Sequence, residues 1–184
     1  MAEIADRYRN VAAKFTTTAE GVAPDAWDRP APCEGWVARD VVRHIVDWMP
    51  AFLAGAGGPS LAPGPSVDDD PVGAWIALDE QLQALLDDPE ISARQLSHPQ
   101  AGSHRTDEAI EMFFLGDVLV HTWDLARATG LDERLDPDEV HGMFMGLQPA
   151  DEMLRSSGHY GPRVEVPDDA DEQTKLLAFL GRRP

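Results

Sequence analysis

Apolar residues recur at helical intervals along most of the chain, and proline and glycine cut the pattern into helix-sized lengths. Ile4, Tyr8, Val11, Phe15 and Val22 fall near a 3.6-residue period and predict a first helix from about Ala2 to Gly21, ended by Pro24. Pro24 to Gly35 reads as a structured loop. Val37, Val41, Ile45, Trp48 and Phe52 share one face and predict a second helix starting just after Gly35-Trp36, with Pro50 expected to kink or shorten it. Gly55 to Pro71 is too dense in glycine and proline for a regular element and is predicted to be an exposed connection. Trp75, Leu78, Leu82, Leu85 and Leu86 form the apolar face of a third helix, which starts at Pro71 or soon after and stops at Asp87-Asp88-Pro89. Between Arg94 and Arg105 the pattern fits either a short hairpin or an irregular loop.

Thr106 to Thr129 is the longest periodic stretch, with Thr106 as the expected N-cap and Gly130 as the C-terminal stop. Asp136-Pro137 opens a further helix to Arg155, interrupted at Pro149. From Ser156 onward the chain reads as loop, save for a short helix over Asp171 to Leu180 that has Leu176, Leu177 and Leu180 available to pack. Four principal helices with long connections imply an all-α bundle, and 184 residues suit a single domain, 1–184, with its own core.

Lysine and arginine total 15 against 33 aspartates and glutamates, a formal charge of −18. Such a surface repels phosphate backbones and anionic lipid, which argues against a nucleic-acid partner or a membrane partner. The nearest approach to a basic cluster is Arg182-Arg183. The amino terminus has no continuous apolar run to serve as a signal peptide, and no segment reaches the roughly 18 apolar residues of a membrane span, so the expected location is the cytoplasm. Cys33 is the single cysteine; any metal chemistry therefore falls to His, Asp and Glu.

The candidate chemistry lies in the long predicted helix. At about 100° per residue, Asp117, His121 and Asp124 project close to the direction of Ile110 and Phe114, in the middle of the apolar stripe. An unpaired buried carboxylate there costs several kcal/mol, so a cation, a hydrogen-bond network or water must compensate it. Asp117 and His121 stand four residues apart and leave the same helix face one turn apart. His44, between Val41 and Trp48 on the second helix, is the third candidate. Two imidazoles and one carboxylate match open sites for zinc, iron(II) or nickel. On spacing alone, a hydrogen-bonded cluster inside a plain structural bundle is favoured over a metal site. Asp124 reads either as an acceptor behind His121 or as a surface partner of Arg127. Cys33 reads as a loop cysteine in a small hydrophobic pocket or as a thiol near the site. Trp27, Trp36, Trp48 and Trp123 read as core or loop anchors, some of which could line a pocket. His98 and His104 sit in the loop before the long helix, solvated or facing the site; His141 and His159 give no spacing signal.

Two long segments carry a family resemblance. Pro32 through Val46 resembles the PCEGWTVRDLVAHV segment of actinobacterial DinB-like proteins, and Asp117 through Gly130 resembles their DxxxHxWDLARATG segment. The ending is also similar, in Tyr160 to Pro167 and Leu176 to Pro184. On this basis the chain resembles the superfamily of the metal-binding N-terminal domain of mycothiol-dependent maleylpyruvate isomerase. The resemblance implies a DinB-like four-helix bundle with a short C-terminal extension, and a metal site formed by His44, Asp117 and His121. Aspartate at position 117 departs from the glutamate of the isomerase and the histidine of many DinB-like members. A divalent ion is implied, zinc first, with nickel, iron or manganese as alternatives; mycothiol is the implied thiol, with a small electrophile as co-substrate and a homodimer as the assembly. The function so implied is a thiol-dependent transferase or isomerase, the alternative being a non-catalytic metal-binding or stress-response protein. The isomerase carries an additional C-terminal domain that this sequence is not expected to supply, so its own reaction is not carried over. No residue stands out as a separate general base.

Overall fold

The computed structural model describes residues 2–156 and 161–184; His159 and Tyr160 lie outside the described residues. The chain forms α1 (Ala2–Glu20), α2 (Ala38–Gly55), α3 (Pro71–Asp87) and the short α4 (Pro89–Ser92). A hairpin follows, β1 (Gln95–His98) with β2 (Gly102–Arg105). The long helix comprises α5 (Thr106–Ala109), a π-helical segment over Ile110–Leu115, and α6 (Gly116–Thr129). The remaining helices are α7 (Pro137–Leu147), α8 (Asp151–Ser156) and α9 (Glu172–Phe179). This is an all-α, DinB-like fold with one two-stranded sheet among the described residues.

Four helices make the bundle. α1 packs against α3 and α6, and α2 packs against the same two, so α2 and α6 are neighbours. Each contributes large, essentially inaccessible side chains: Tyr8 and Phe15 from α1, Ile45, Met49 and Leu53 from α2, Trp75 and Leu82 from α3, Trp123 and Leu125 from α6. Burying each stabilises the fold by about 1.5–3 kcal/mol before the entropy of ordering is counted. Phe15 and Trp75 pack with ring centroids 4.6 Å apart, and the Trp75 indole N–H donates to Thr16 Oγ1 at 2.8 Å, so this buried polar atom has its partner.

Several sequence expectations change in detail. Pro50 does not end α2, which continues to Gly55 with Met49 and Leu53 fully buried on either side of it. The missing proline N–H removes one rung, and tertiary packing of those neighbours holds the helix across it. Arg94 to Arg105 contains the hairpin, with Leu96 opposite His104 and Leu96 turned into the core. β2 opens on Gly102 at φ 83°, a left-handed conformation that glycine adopts without steric cost. Thr106 is not the N-cap of the long helix. Arg105 occupies that position and its backbone N–H donates to Glu108 Oε2 at 3.0 Å, while the Thr106 hydroxyl donates to the Arg94 carbonyl at 3.1 Å.

The π-helical turn is the largest departure. A π turn inserts one residue relative to an α-helix and rotates everything after it. Ile110 therefore does not serve as an angular reference for Asp117, although spacings within α6 keep their α-helical meaning. At the other end α6 closes on Gly130 at φ 77°, as the sequence predicts.

The C-terminal part follows its punctuation closely. Asp136 caps α7, accepting from the N–H groups of Asp138 and Glu139, and Pro149 falls in a 3₁₀ turn, Gln148–Ala150, between α7 and α8. Asp171 caps α9 by accepting from Thr174 N–H at 2.7 Å. α9 packs on α7, and Leu176, Leu177, Phe179 and Leu180 are buried, which delivers Arg182 onto the face of α6. Arg7 of α1 holds α7 through a two-pronged pair with Glu139, at 2.9 and 2.8 Å. No helix of the described residues is long and apolar enough to cross a membrane.

Candidate metal centre

His44 leaves α2 beside the fully buried Val41 and Ile45, and Asp117 and His121 leave α6 one turn apart, so neighbouring helices bring three donors to one place. His44 Nε2 lies 3.4 Å from Asp117 Oδ2, and His121 Nε2 lies 3.4 Å from Asp117 Oδ1. One donor atom from each of the three residues lies within 4.8 Å of the other two. The imidazole centroids of His44 and His121 are 4.9 Å apart. His121 is almost fully enclosed, whereas the His44 and Asp117 side chains retain 33% and 25% of their exposure. The cluster is open on one side.

Aromatic groups fix its other walls. In the loop before α2, Gly35 at φ 78° and the bond from Trp36 N–H to the Cys33 carbonyl turn the chain back, placing Trp36 over both imidazoles. Its ring is 5.1 Å from that of His44 and stacks on that of His121 at 5.8 Å. Trp48, one turn beyond His44, donates its indole N–H to Asp117 Oδ2 at 2.9 Å and packs edge-on against Phe114 of the π segment. The carboxylate rotamer is thereby set by a tryptophan on the neighbouring helix.

Behind His121 lies a second layer. Asp124, fully buried, places Oδ2 2.9 Å from His121 Nδ1, a close approach too bent for a well-aligned hydrogen bond. Its two oxygens also receive the Arg182 guanidinium, Nη2 at 2.9 Å and Nε at 3.4 Å. Cys33 Sγ is 3.6 Å from Asp124 and 3.7 Å from Arg182. Burial works to raise the Asp124 carboxyl, but His121 and Arg182 outweigh it and hold the group below the usual carboxylate range. Burial first, and then the Asp124 charge, push the Cys33 thiol up to about 12, so it is held as a neutral thiol and not as a nucleophile.

The same competition operates at the cluster. Burial favours a neutral Asp117, yet the charge of His121 and the contacts with His121 and His44 hold the carboxyl well below its ordinary value. Burial also opposes a charged His121, and the adjacent Asp117 nevertheless pushes it up to about 9. The pocket thus favours positive charge next to Asp117, supplied by a proton when nothing else does so.

The three residues singled out from the sequence are brought together. Of the two readings of Asp124 the inward one holds, and Arg127 pairs instead with Glu133 at 2.9 Å. Cys33 is half-buried between a carboxylate and a guanidinium, a polar setting unlike the apolar pocket expected of a loop cysteine. His98 and His104 do not join the cluster. His98 stacks on Phe52 and accepts from the N–H groups of Gln100 and Ala101, and His104 contacts the Ala101 carbonyl at 2.7 Å; both shape the hairpin. His141 pairs with Glu172 at the surface. The contributions of Trp36, Trp48 and Arg182 to the site are not readable from spacing. Their only sequence signal is inclusion in, or closeness to, the resembling segments.

Fold and cluster together define a helical-bundle protein with a two-histidine, one-carboxylate centre open on one side. The chain belongs to the mycothiol maleylpyruvate isomerase N-terminal domain family, whose model matches residues 8–126, a stretch that contains Cys33, His44, Asp117, His121 and Asp124 and ends before Arg182. Two Mycobacterium tuberculosis proteins, named Uncharacterized protein MT0763 (strain CDC 1551 / Oshkosh) and Uncharacterized protein Rv0738 (strain ATCC 25618 / H37Rv), are each 27% identical over 174 residues, covering 91% of this chain and 91% of each relative. No solved structure matches.

Proposed function

We propose that this protein holds one divalent cation, zinc first, through His44, Asp117 and His121, and uses it for transfer of a small-molecule thiol, mycothiol, to a small electrophile. The observation that carries the reading is the pair of 3.4 Å separations between the imidazole nitrogens and the Asp117 oxygens. They are longer than the 2.7–3.2 Å of ordinary hydrogen bonds. They equal the roughly 3.4 Å between tetrahedral ligands about 2.1 Å from a shared ion.

The bound ion would supply Lewis acidity, lowering the proton affinity of a thiol and polarising a carbonyl. The protein's own groups do the rest. His44, Asp117 and His121 hold it, Trp48 fixes the Asp117 carboxylate, and Trp36 excludes water from one side. Asp124 orients the His121 ring and leaves Nε2 facing the centre. We place this activity in the cytoplasm, in a protein that forms a homodimer and binds neither nucleic acid nor membrane.

The test is the metal content of purified protein and of His44→Ala, Asp117→Ala and His121→Ala. About one equivalent is expected in the wild type and a large loss in each variant, with helical content largely intact because open sites contribute less to folding than closed structural ones. Stoichiometric metal in all three variants would reject the assignment. Metal-dependent conjugation of mycothiol to a panel of electrophiles then tests turnover; its absence in metal-loaded protein leaves the non-catalytic metal-binding or stress-response alternative.

A further inference from the structure

A second set of three donors meets at the other nitrogen of the His121 ring. Cys33 Sγ, His121 Nδ1 and one Asp124 oxygen all lie within 4.8 Å of one another. The His121 side chain is almost wholly enclosed, and its Nδ1 is buried without a hydrogen-bond partner among the described residues, although Asp124 Oδ2 stands 2.9 Å away. Buried polar atoms are ordinarily partnered, so a free ring nitrogen aimed at a carboxylate and a thiol points to a ligand between them.

The separations suit an ion. Cys33 Sγ is 3.6 Å from Asp124 Oδ2. That matches the roughly 3.6 Å expected between a sulfur about 2.3 Å and an oxygen about 2.1 Å from one tetrahedral ion. The Nδ1 to Oδ2 approach is about 0.5 Å closer than two such ligands would stand, a gap that a small rotation of the carboxylate supplies. A cation already stands at this corner: Arg182 Nη2 lies 2.9 Å from Asp124 Oδ2 and 3.7 Å from Cys33 Sγ. The Arg182 side chain also lines a cleft of about 250 Å³ beside Asp117, between the π turn and α7, and so has space to withdraw.

We propose that Cys33, His121 Nδ1 and Asp124 form an inner site for a thiophilic divalent cation of the cadmium type, which enters by displacing the Arg182 side chain. On entry the Sγ–H bond breaks, as does the Nδ1–H bond where His121 carries its second proton, and the protons leave to solvent. Bonds form from Sγ, Nδ1 and a carboxylate oxygen to the ion, and nothing is oxidised or reduced. The ion takes over from the guanidinium, so Asp124 is never left as an uncompensated buried charge. A soft ion is selected because its bond to thiolate must outweigh the loss of the proton and of the Arg182 contacts. A neutral imidazole has one acceptor nitrogen, so an ion on Nδ1 takes His121 away from His44 and Asp117, and the two occupations exclude each other. That exclusion rests on the metal reading of the outer triad; the inner site stands without it.

The experiment titrates metal-free protein with cadmium chloride and reads the ultraviolet charge-transfer absorption of the cadmium–thiolate bond, with bound cadmium and zinc measured on the same samples. The wild type should develop this band, Cys33→Ser should lack it, and His44→Ala should retain it because His44 belongs to the outer triad alone. Asp124→Asn should weaken the affinity read from the band at least tenfold. Arg182→Met, which removes the competing guanidinium, should strengthen it at least tenfold. The double variant Arg182→Met/Asp124→Asn should lose that gain, a pattern that a lone thiol exposed by misfolding does not produce. In zinc-loaded protein the band should grow only as zinc is released. No band in folded wild type, its loss in His44→Ala, unchanged affinity in Asp124→Asn, no gain in Arg182→Met, a gain that survives in the double variant, or a band without zinc release each overturns the proposal. If the protein takes up no zinc, the outer reading fails while the cadmium titration of the metal-free protein still decides the inner site.

Discussion

At the scale of single residues, the His121–Asp117 pair governs the behaviour of the metal-free protein. A histidine whose folded pKa is raised from 6.5 to about 9 contributes stability that is fully present below its unfolded value and is lost as pH rises through the folded one. The lowered Asp117 carboxyl contributes in the opposite sense, with stability present above its unfolded value and lost as pH falls toward the folded one. Chelator-treated protein should therefore show a falling thermal midpoint between pH 6.5 and 9. His121→Gln should flatten that limb, and a wild-type midpoint constant across the window would show that the pair does not couple as described. The i,i+4 relation of these two residues was readable in the sequence because both lie in α6, beyond the π turn. The hydrogen bond from Trp48 to Asp117 was not, since nothing in the spacing of α2 says which indole faces which carboxylate.

Among the elements, the C-terminal segment bears most directly on the centre. α9 buries Leu176 and Leu177, Leu180 just past its end is buried too, and together they carry Arg182 to Asp124, 58 positions earlier in the chain. Asp124→Asn should weaken metal binding about 10- to 100-fold, the usual effect of losing the group that orients a ligand histidine. Arg182→Met should act in the same direction and lower the thermal midpoint, because it strands a buried carboxylate. The cost should fall below the about 3–5 kcal/mol of a fully uncompensated charge, since His121 still faces Asp124. Competitive chelator titration and thermal melts check both; metal affinity unaltered in Asp124→Asn would remove Asp124 from the site. The start of α7 at Asp136 was legible because capping is local. The π turn was not, since its extra residue is accommodated by packing around Phe114 against Trp48 and Phe52, which no period of the sequence reveals.

For the whole molecule, the charge of −18 makes the surface an attractor of cations. With a centre open on one side, uptake of a divalent ion should be fast at low ionic strength and slow as salt rises, because added salt shortens the Debye length from about 30 Å at 0.01 M to about 8 Å at 0.15 M. Stopped-flow exchange from a chromophoric chelator measures this; a rate independent of salt would mean that entry is limited by opening of the site and not by steering.

The amino-acid sequence alone determined where the four bundle helices lie, the start of α7 at Asp136 and the stop of α6 at Gly130, the acidic charge of the chain and the three candidate ligands, because periodicity, capping and charge are properties of neighbouring residues. The tertiary structure decided that α2 lies beside α6, that Trp36 and Trp48 wall the cluster, that Arg182 closes it from behind, and that a cleft opens next to Asp117 between the π turn and α7. Those features depend on atoms from positions as far apart as Cys33 and Arg182, 149 residues along the chain. Only the packed core specifies which of many distant pairs meet.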